Sequence, residues 1–101
     1  MKIATLHNAE KVPFNLDGRK MYSGGKTGLI HLIFNVGDEI AVHSNPFDVI
    51  FYILEGEGSI FSNEESLLVQ TNSCIFIEKD KTRGIVNSGR GVLRVLVVKI
   101  F

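Results

Sequence analysis

Apolar residues in this chain come in short runs with no helical periodicity. Leu29–Phe34 (LIHLIF), Val49–Leu54 (VIFYIL), Ser73–Ile77 (SCIFI), Thr82–Val86 (TRGIV) and Val92–Phe101 (VLRVLVVKIF) are rich in β-branched and aromatic residues. Such runs, set between turn-forming residues, read as strands. Strand geometry then fixes their faces. Leu29, His31 and Ile33 share one side of their strand, and Ile30, Leu32 and Phe34 the other. Val49, Phe51 and Ile53 likewise oppose Ile50, Tyr52 and Leu54. Both faces of this second run are apolar, which predicts a strand inside a two-layer structure. Residues 58–62 and 66–69 form a hairpin around Asn63-Glu64-Glu65, while Asp17-Gly18, Gly24-Gly25 and Glu55–Gly58 mark turns, Asp17-Gly18 being the best hairpin candidate. The sum is about eight to ten short strands and no helix, an all-β jelly roll or sandwich. The tail, apolar on both faces, predicts a closing strand shared with a partner surface.

The stretch Gly37–Gly58 (GDEIAVHSNPFDVIFYILEGEG) carries a second kind of information. Gly37, His43, Asn45, Val49 and Gly56 keep the spacing Gly, five residues, His-x-His, three or four residues, Glu, six residues, Gly. Further on, Asn72–Asn87 matches in length a second motif, whose marked positions hold Asn72, Glu78, Asp80, Arg83 and Asn87. In these two spacings the chain resembles the cupins. That resemblance implies a double-stranded β-helix, the cupin barrel of antiparallel strands, as a single domain over residues 1–101. Cupins that bind a metal use three histidines and a glutamate, and those places fall here on His43, Asn45, Val49 and Arg83. Asn45 offers a neutral amide, Val49 offers nothing, and Arg83 brings a fixed positive charge to where a divalent cation would sit. The expectation is no metal and no other cofactor; the alternative is a divalent transition metal held by His43 with ligands the motif does not supply.

If the barrel mouth is lined as the resemblance implies, the ligand-binding set is His43, Asn45, Val49, Phe51, Arg83 and Asn87, with His31 a further candidate. An apolar wall with a few convergent polar groups is the usual composition of a small-molecule pocket. Arg83 needs an anion there. One source is a carboxylate or phosphate ligand gripped by both prongs of the guanidinium. The other is an internal carboxylate from Asp48, Glu78 or Asp80, which would leave a filled barrel. His31 is open in the same way, either a core histidine bonded to a neighbour or a pocket residue.

Composition narrows the function classes. A chain of 101 residues is the size of one domain. Eleven basic residues balance eleven acidic ones, so no basic stripe is available for nucleic acid. A hydrophobic content of 45% and a tail with edges to hide predict a homodimer whose interface includes residues from Val92 to Phe101. The first residues lack a signal-like apolar core and no run approaches membrane-spanning length, so no membrane partner is expected and the cytoplasm is the expected compartment. The only cysteine, Cys74, excludes an internal disulfide, and its place in an apolar strand predicts a buried thiol. Gly25-Lys26-Thr27 has the ending of a phosphate loop, but Lys20 stands where that loop needs a glycine and a strand follows. A binding or sensing module for a small organic anion, with no catalytic set, is the reading these features favour. The alternatives are an epimerase or isomerase using His43 or His31 as general base, or a metal-dependent dioxygenase with a rebuilt site.

Overall fold

The run Val49–Leu54 lengthens by one residue at each end into β5 (Asp48–Glu55), which lies one place from the end of a sheet that the tail completes. The structure is a computed structural model that describes residues 1–13 and 15–101. Among them are nine further strands: β1 (Glu10–Lys11), β2 (Asp17–Ser23), β3 (Thr27–Phe34), β4 (Glu39–Ser44), β6 (Glu57–Ser62), β7 (Glu65–Gln70), β8 (Cys74–Ile77), β9 (Thr82–Val86) and β10 (Leu93–Ile100). A six-stranded sheet in the order β1-β2-β3-β10-β5-β8 packs against a four-stranded sheet in the order β4-β9-β6-β7. Every pairing is antiparallel. This is the jelly roll of the double-stranded β-helix. No helix among the described residues is long and apolar enough to cross a membrane.

Alternation builds the core. Ile30, Leu32 and Phe34 from β3, Val49, Phe51 and Ile53 from β5, and Leu93, Val95 and Val97 from β10 all point inward from the larger sheet. They meet Ile60, Val69 and Ile85 from the smaller one. Each such side chain contributes about 1.5–3 kcal/mol through removal of its apolar surface from water. The chain changes sheets between β5 and β6 at Gly56, where φ is +90° and an added Cβ would run into the Val92 carbonyl oxygen. Only glycine suits both demands. The predicted turn at Glu55–Gly58 is therefore a corner between sheets. The hairpin around Asn63 is as expected, Ser62 pairing with Glu65.

Four expectations need correction. Asp17-Gly18 is no hairpin turn, because both residues lie in β2; Gly18 is required there by the close approach of Val12, whose side chain a Cβ would strike. The β2–β3 turn falls instead at Gly24, whose N–H donates to the Thr27 carbonyl at 2.9 Å. The tail is not an edge: β10 pairs with β3 on one side and with β5 on the other. The outward face of β5 is not covered by a second layer, and Ile50, Tyr52 and Leu54 remain half-buried. Cys74 is exposed, since it shares that outward face, directly opposite Tyr52.

That outer face has its own order. Registers place Tyr22, Leu29, Val98, Ile50 and Phe76 side by side across five strands, an apolar row of which Tyr22 and Phe76 keep 51% and 55% of their surface exposed.

Candidate functional site

The smaller sheet is irregular where β4 meets β9. Ile40 pairs with Ile85 and His43 with Arg83, but the register shifts between them. Gly84 allows this, since a Cβ there would press on the backbone of Val42, 3.1 Å from both its Cα and N. Beside this irregularity, between the two sheets, lies a cavity of about 350 Å³. Its walls are Ile30, Leu32, Val49, Phe51, Ile85 and Val97, drawn from both sheets, with Ile40 and Phe47 towards β4 and its loop. Its polar side chains are His43, Asn45, Arg83 and Lys99, and no carboxylate is among the lining residues.

Arg83 is 2% exposed. Its Nε donates to the Lys81 carbonyl at 3.4 Å, Nη1 to the Phe47 carbonyl at 3.1 Å, and Nη2 to the carbonyls of Glu78 and Lys81 at 3.0 and 3.2 Å. Of the two partners open to Arg83, the internal carboxylate is not the one it bonds; main-chain oxygens take that place. These bonds tie the β4–β5 loop to the β8–β9 turn. Burial pushes the guanidinium below its ordinary value, while Asp48 and Asp80 act in the opposite direction. Asp48 itself accepts the Lys79 N–H at 2.8 Å.

Lys99 is the residue sequence reasoning missed. It continues the inward row Leu93, Val95, Val97 of β10 and pairs with Val49 and Gly28. Its Nζ lies 5.5 Å from the centroid of the Phe47 ring, and the Arg83 guanidinium carbon lies 5.8 Å from the same centroid. Two cations therefore lie within about 6 Å of the centroid of one aromatic ring, a contact that the ring quadrupole favours. Burial, with a smaller contribution from Lys20, pushes the Lys99 ammonium below its ordinary value. Among the described residues neither cation has an ion-pair partner.

The remaining candidates divide. His43, Asn45, Val49, Phe51 and Arg83 all line the cavity. The Nδ1–H of His43 donates to the Ala41 carbonyl at 2.9 Å, which leaves Nε2 as the nitrogen free to accept. Asn87 is set apart from the lining and is a brace: its Nδ2 donates to the carbonyls of Phe34 and Gly91 at 3.0 and 2.8 Å, and its Oδ1 accepts the Gly89 N–H at 3.0 Å. His31 faces away, since Ile30 and Leu32 take the inward positions of β3. There, 4% exposed, its Nε2 accepts from Arg94 Nε and Nη2 at 3.2 and 3.1 Å. The proton is therefore on Nδ1, which is buried without a partner. Burial first, then the Arg94 charge, holds His31 below the ordinary histidine value, with Asp17 opposing. It is the core-histidine reading of this residue that fits.

The donor set does not fit a divalent metal. One imidazole, one amide and two cations face the cavity, and no group of three His, Cys, Asp or Glu side chains converges among the described residues.

The Cupin domain family matches residues 30–99, which spans the whole cavity and more than two thirds of the chain. The chain belongs to the cupin family. Solved cupin-like structures agree with its fold. A predicted oxalate decarboxylase from Thermotoga maritima superposes with a TM-score of 0.88 at 19% identity, covering 100% of this chain and 99% of that one. An RmlC-like cupin from Shewanella frigidimarina gives 0.86 at 15% identity, covering 99% and 90%. A Thermus thermophilus protein gives 0.84 at 22% identity, covering 99% and 97%. No curated protein matches the chain. At these identities the neighbours speak for the fold of this cupin, and its chemistry has to be read from its own side chains.

Proposed function

We propose that this cupin is a metal-free binding or sensing module that takes a small organic anion into its barrel. One observation carries the reading: Arg83 and Lys99 both line an apolar cavity whose wall holds no carboxylate, with Asp48 and Asp80 acting on Arg83 only from outside it. A cation in a partly dry site is stabilised by an anion, and the attraction grows as water is excluded. Asn45 and His43 Nε2 supply the polar contacts that would fix orientation. The site is metal-free because a cation held by His43 would lie beside Arg83, its strand partner. The test is a thermal-shift and calorimetric screen of carboxylates and phosphates on protein freed of metal by chelation. Saturable binding supports the reading; a panel without a single binder overturns it.

An enzyme reading is kept alive by one feature, the free Nε2 of His43 at the cavity wall, which suits a general base for an epimerase or isomerase. Turnover of a sugar or keto acid that disappears in His43→Ala would promote it.

For assembly we propose a homodimer in which the outer face of the six-stranded sheet, including Leu96 and Val98 of the tail, meets its counterpart. The apolar row from Tyr22 to Phe76 motivates this, in place of an unpaired edge at the tail. The exposed single thiol of Cys74 suits a reducing compartment, and we place the protein in the cytoplasm.

A further inference from the structure

If the cavity takes an anion, as proposed for its function, the class of that anion is set by how the two cations use their donors. A guanidinium has five N–H groups. Arg83 commits four of them to main-chain oxygens: Nε–H and one Nη2–H to Lys81, the other Nη2–H to Glu78, and one Nη1–H to Phe47. One N–H is left, so Arg83 cannot grip a carboxylate or phosphate with both prongs. Lys99 is in the opposite position. Its Nζ has neither a hydrogen bond nor an ion pair among the described residues, only the face of Phe47. Three donors on a point charge are free, at the outer end of the inward row of β10.

The rest of the cavity limits what can be attached to the anion. Leu32, Phe51, Ile85 and Val97 present no hydrogen-bonding group, and beyond the cations only Asn45 and His43 contribute polar side chains. A sugar phosphate or citrate would press hydroxyls and extra carboxylates against walls that cannot pair with them. An apolar body loses nothing there. A space of about 350 Å³, filled somewhat less densely than a protein interior, holds roughly ten to fifteen non-hydrogen atoms.

We propose that the ligand is an amphiphilic monocarboxylate, an aryl-alkyl or branched-alkyl acid, whose carboxylate sits on Lys99 Nζ and whose apolar body lies between Leu32, Phe51, Ile85 and Val97. Lys99 is the anion contact, and Arg83 shapes the site and adds charge.

Calorimetric titration at pH 7 tests this with 3-phenylpropanoate, its neutral amide 3-phenylpropanamide, citrate, inorganic phosphate and glucose 1-phosphate, on wild-type protein, Lys99→Met and Lys99→Arg. Methionine keeps a straight apolar stem in place of the lysine, and thermal unfolding of each variant reports that it is folded. The expected result is that phenylpropanoate binds more tightly than every other probe, the amide by about tenfold less. Lys99→Met weakens phenylpropanoate by about tenfold or more, and Lys99→Arg restores it to within about threefold. Citrate, phosphate or the sugar phosphate binding more tightly than phenylpropanoate overturns the ligand class while leaving the anion reading intact. Folded Lys99→Met that binds phenylpropanoate as wild type does overturns the role of Lys99. Absence of binding by every anion removes the anion reading itself and the ligand class with it.

Discussion

Replacing Arg83 with methionine separates a brace from a clamp. The guanidinium is 2% exposed and makes its bonds to three main-chain carbonyls, those of Phe47, Glu78 and Lys81. A hydrogen bond from a charged donor is worth about 1.5–3 kcal/mol, so three acceptors amount to roughly 4–9 kcal/mol. Against this stands the cost of burying the cation, several kcal/mol that the variant recovers. The net loss expected for Arg83→Met is roughly 2–4 kcal/mol, which in a domain of this size lowers Tm by roughly 10–25 °C. Arg83→Lys should fall between, because a single ammonium cannot span all three acceptors. Guanidinium chloride denaturation is the assay, and the midpoint should drop while the slope m stays constant. A midpoint unchanged or raised in Arg83→Met would refute the reasoning, since the carbonyl bonds would then carry no net stability.

The same geometry sets other expectations. The lowered pKa of Lys99 means that its ammonium discharges below the ordinary 10.5, while a carboxylate ligand stays ionised; anion affinity should therefore fall as pH rises through a point below 10.5, and a flat profile up to that pH would count against the contact. His31 is held below 6.5 in the folded state. As pH drops below 6.5 the unfolded chain takes up a proton that the folded one refuses, so stability should fall by up to about 1.4 kcal/mol per pH unit until the folded pKa is reached. That share of the acid slope should vanish in His31→Leu, measured by denaturation at pH 5 and pH 7. Gly56→Ala combines a φ of +90° with a collision against the Val92 carbonyl, and should cost at least about 2 kcal/mol, read from the denaturation midpoint. Light scattering should report a dimer at micromolar concentration, and Val98→Glu, placed in the middle of the apolar row, should yield a folded monomer; a wild-type monomer would end the dimer proposal.

What the sequence made legible is what depends on alternation and spacing. Strand periodicity put Val49 and Phe51 on one face, the cupin resemblance turned that face to the barrel mouth, and the Gly37–Gly56 spacing fixed where His43 and Asn45 would stand. Where a strand is apolar on both sides, alternation pairs residues without saying which set faces in. That is why alternation alone leaves His31 between core and pocket, and why it predicts a cover over the outward face of β5 that the fold does not provide. Asp17-Gly18 misleads because glycine serves close approach as well as turns, and the partner Val12 is a tertiary fact. Arg83 resembles a clamp because main-chain acceptors have no sequence signature: the carbonyls that hold it belong to Phe47, Glu78 and Lys81, whatever their side chains. Lys99 was visible in principle. It completes the alternating row Leu93, Val95, Val97, and a lysine at the end of an inward row is a pocket candidate, but only the register of β10 beside β5, about fifty residues away in sequence, brings it against Phe47 and opposite Val49.

The proposed function requires that this cupin hold an anion by its own cations with no metal between them. Elemental analysis of untagged protein, as isolated and after incubation with Fe, Mn, Ni, Zn and Cu followed by desalting, paired with carboxylate titration before and after chelation, addresses that requirement most directly. The protein should retain no metal and show the same carboxylate affinity in both titrations. About one tightly held metal ion per chain, with carboxylate binding lost on chelation, would contradict the proposed function and point to a site rebuilt around His43.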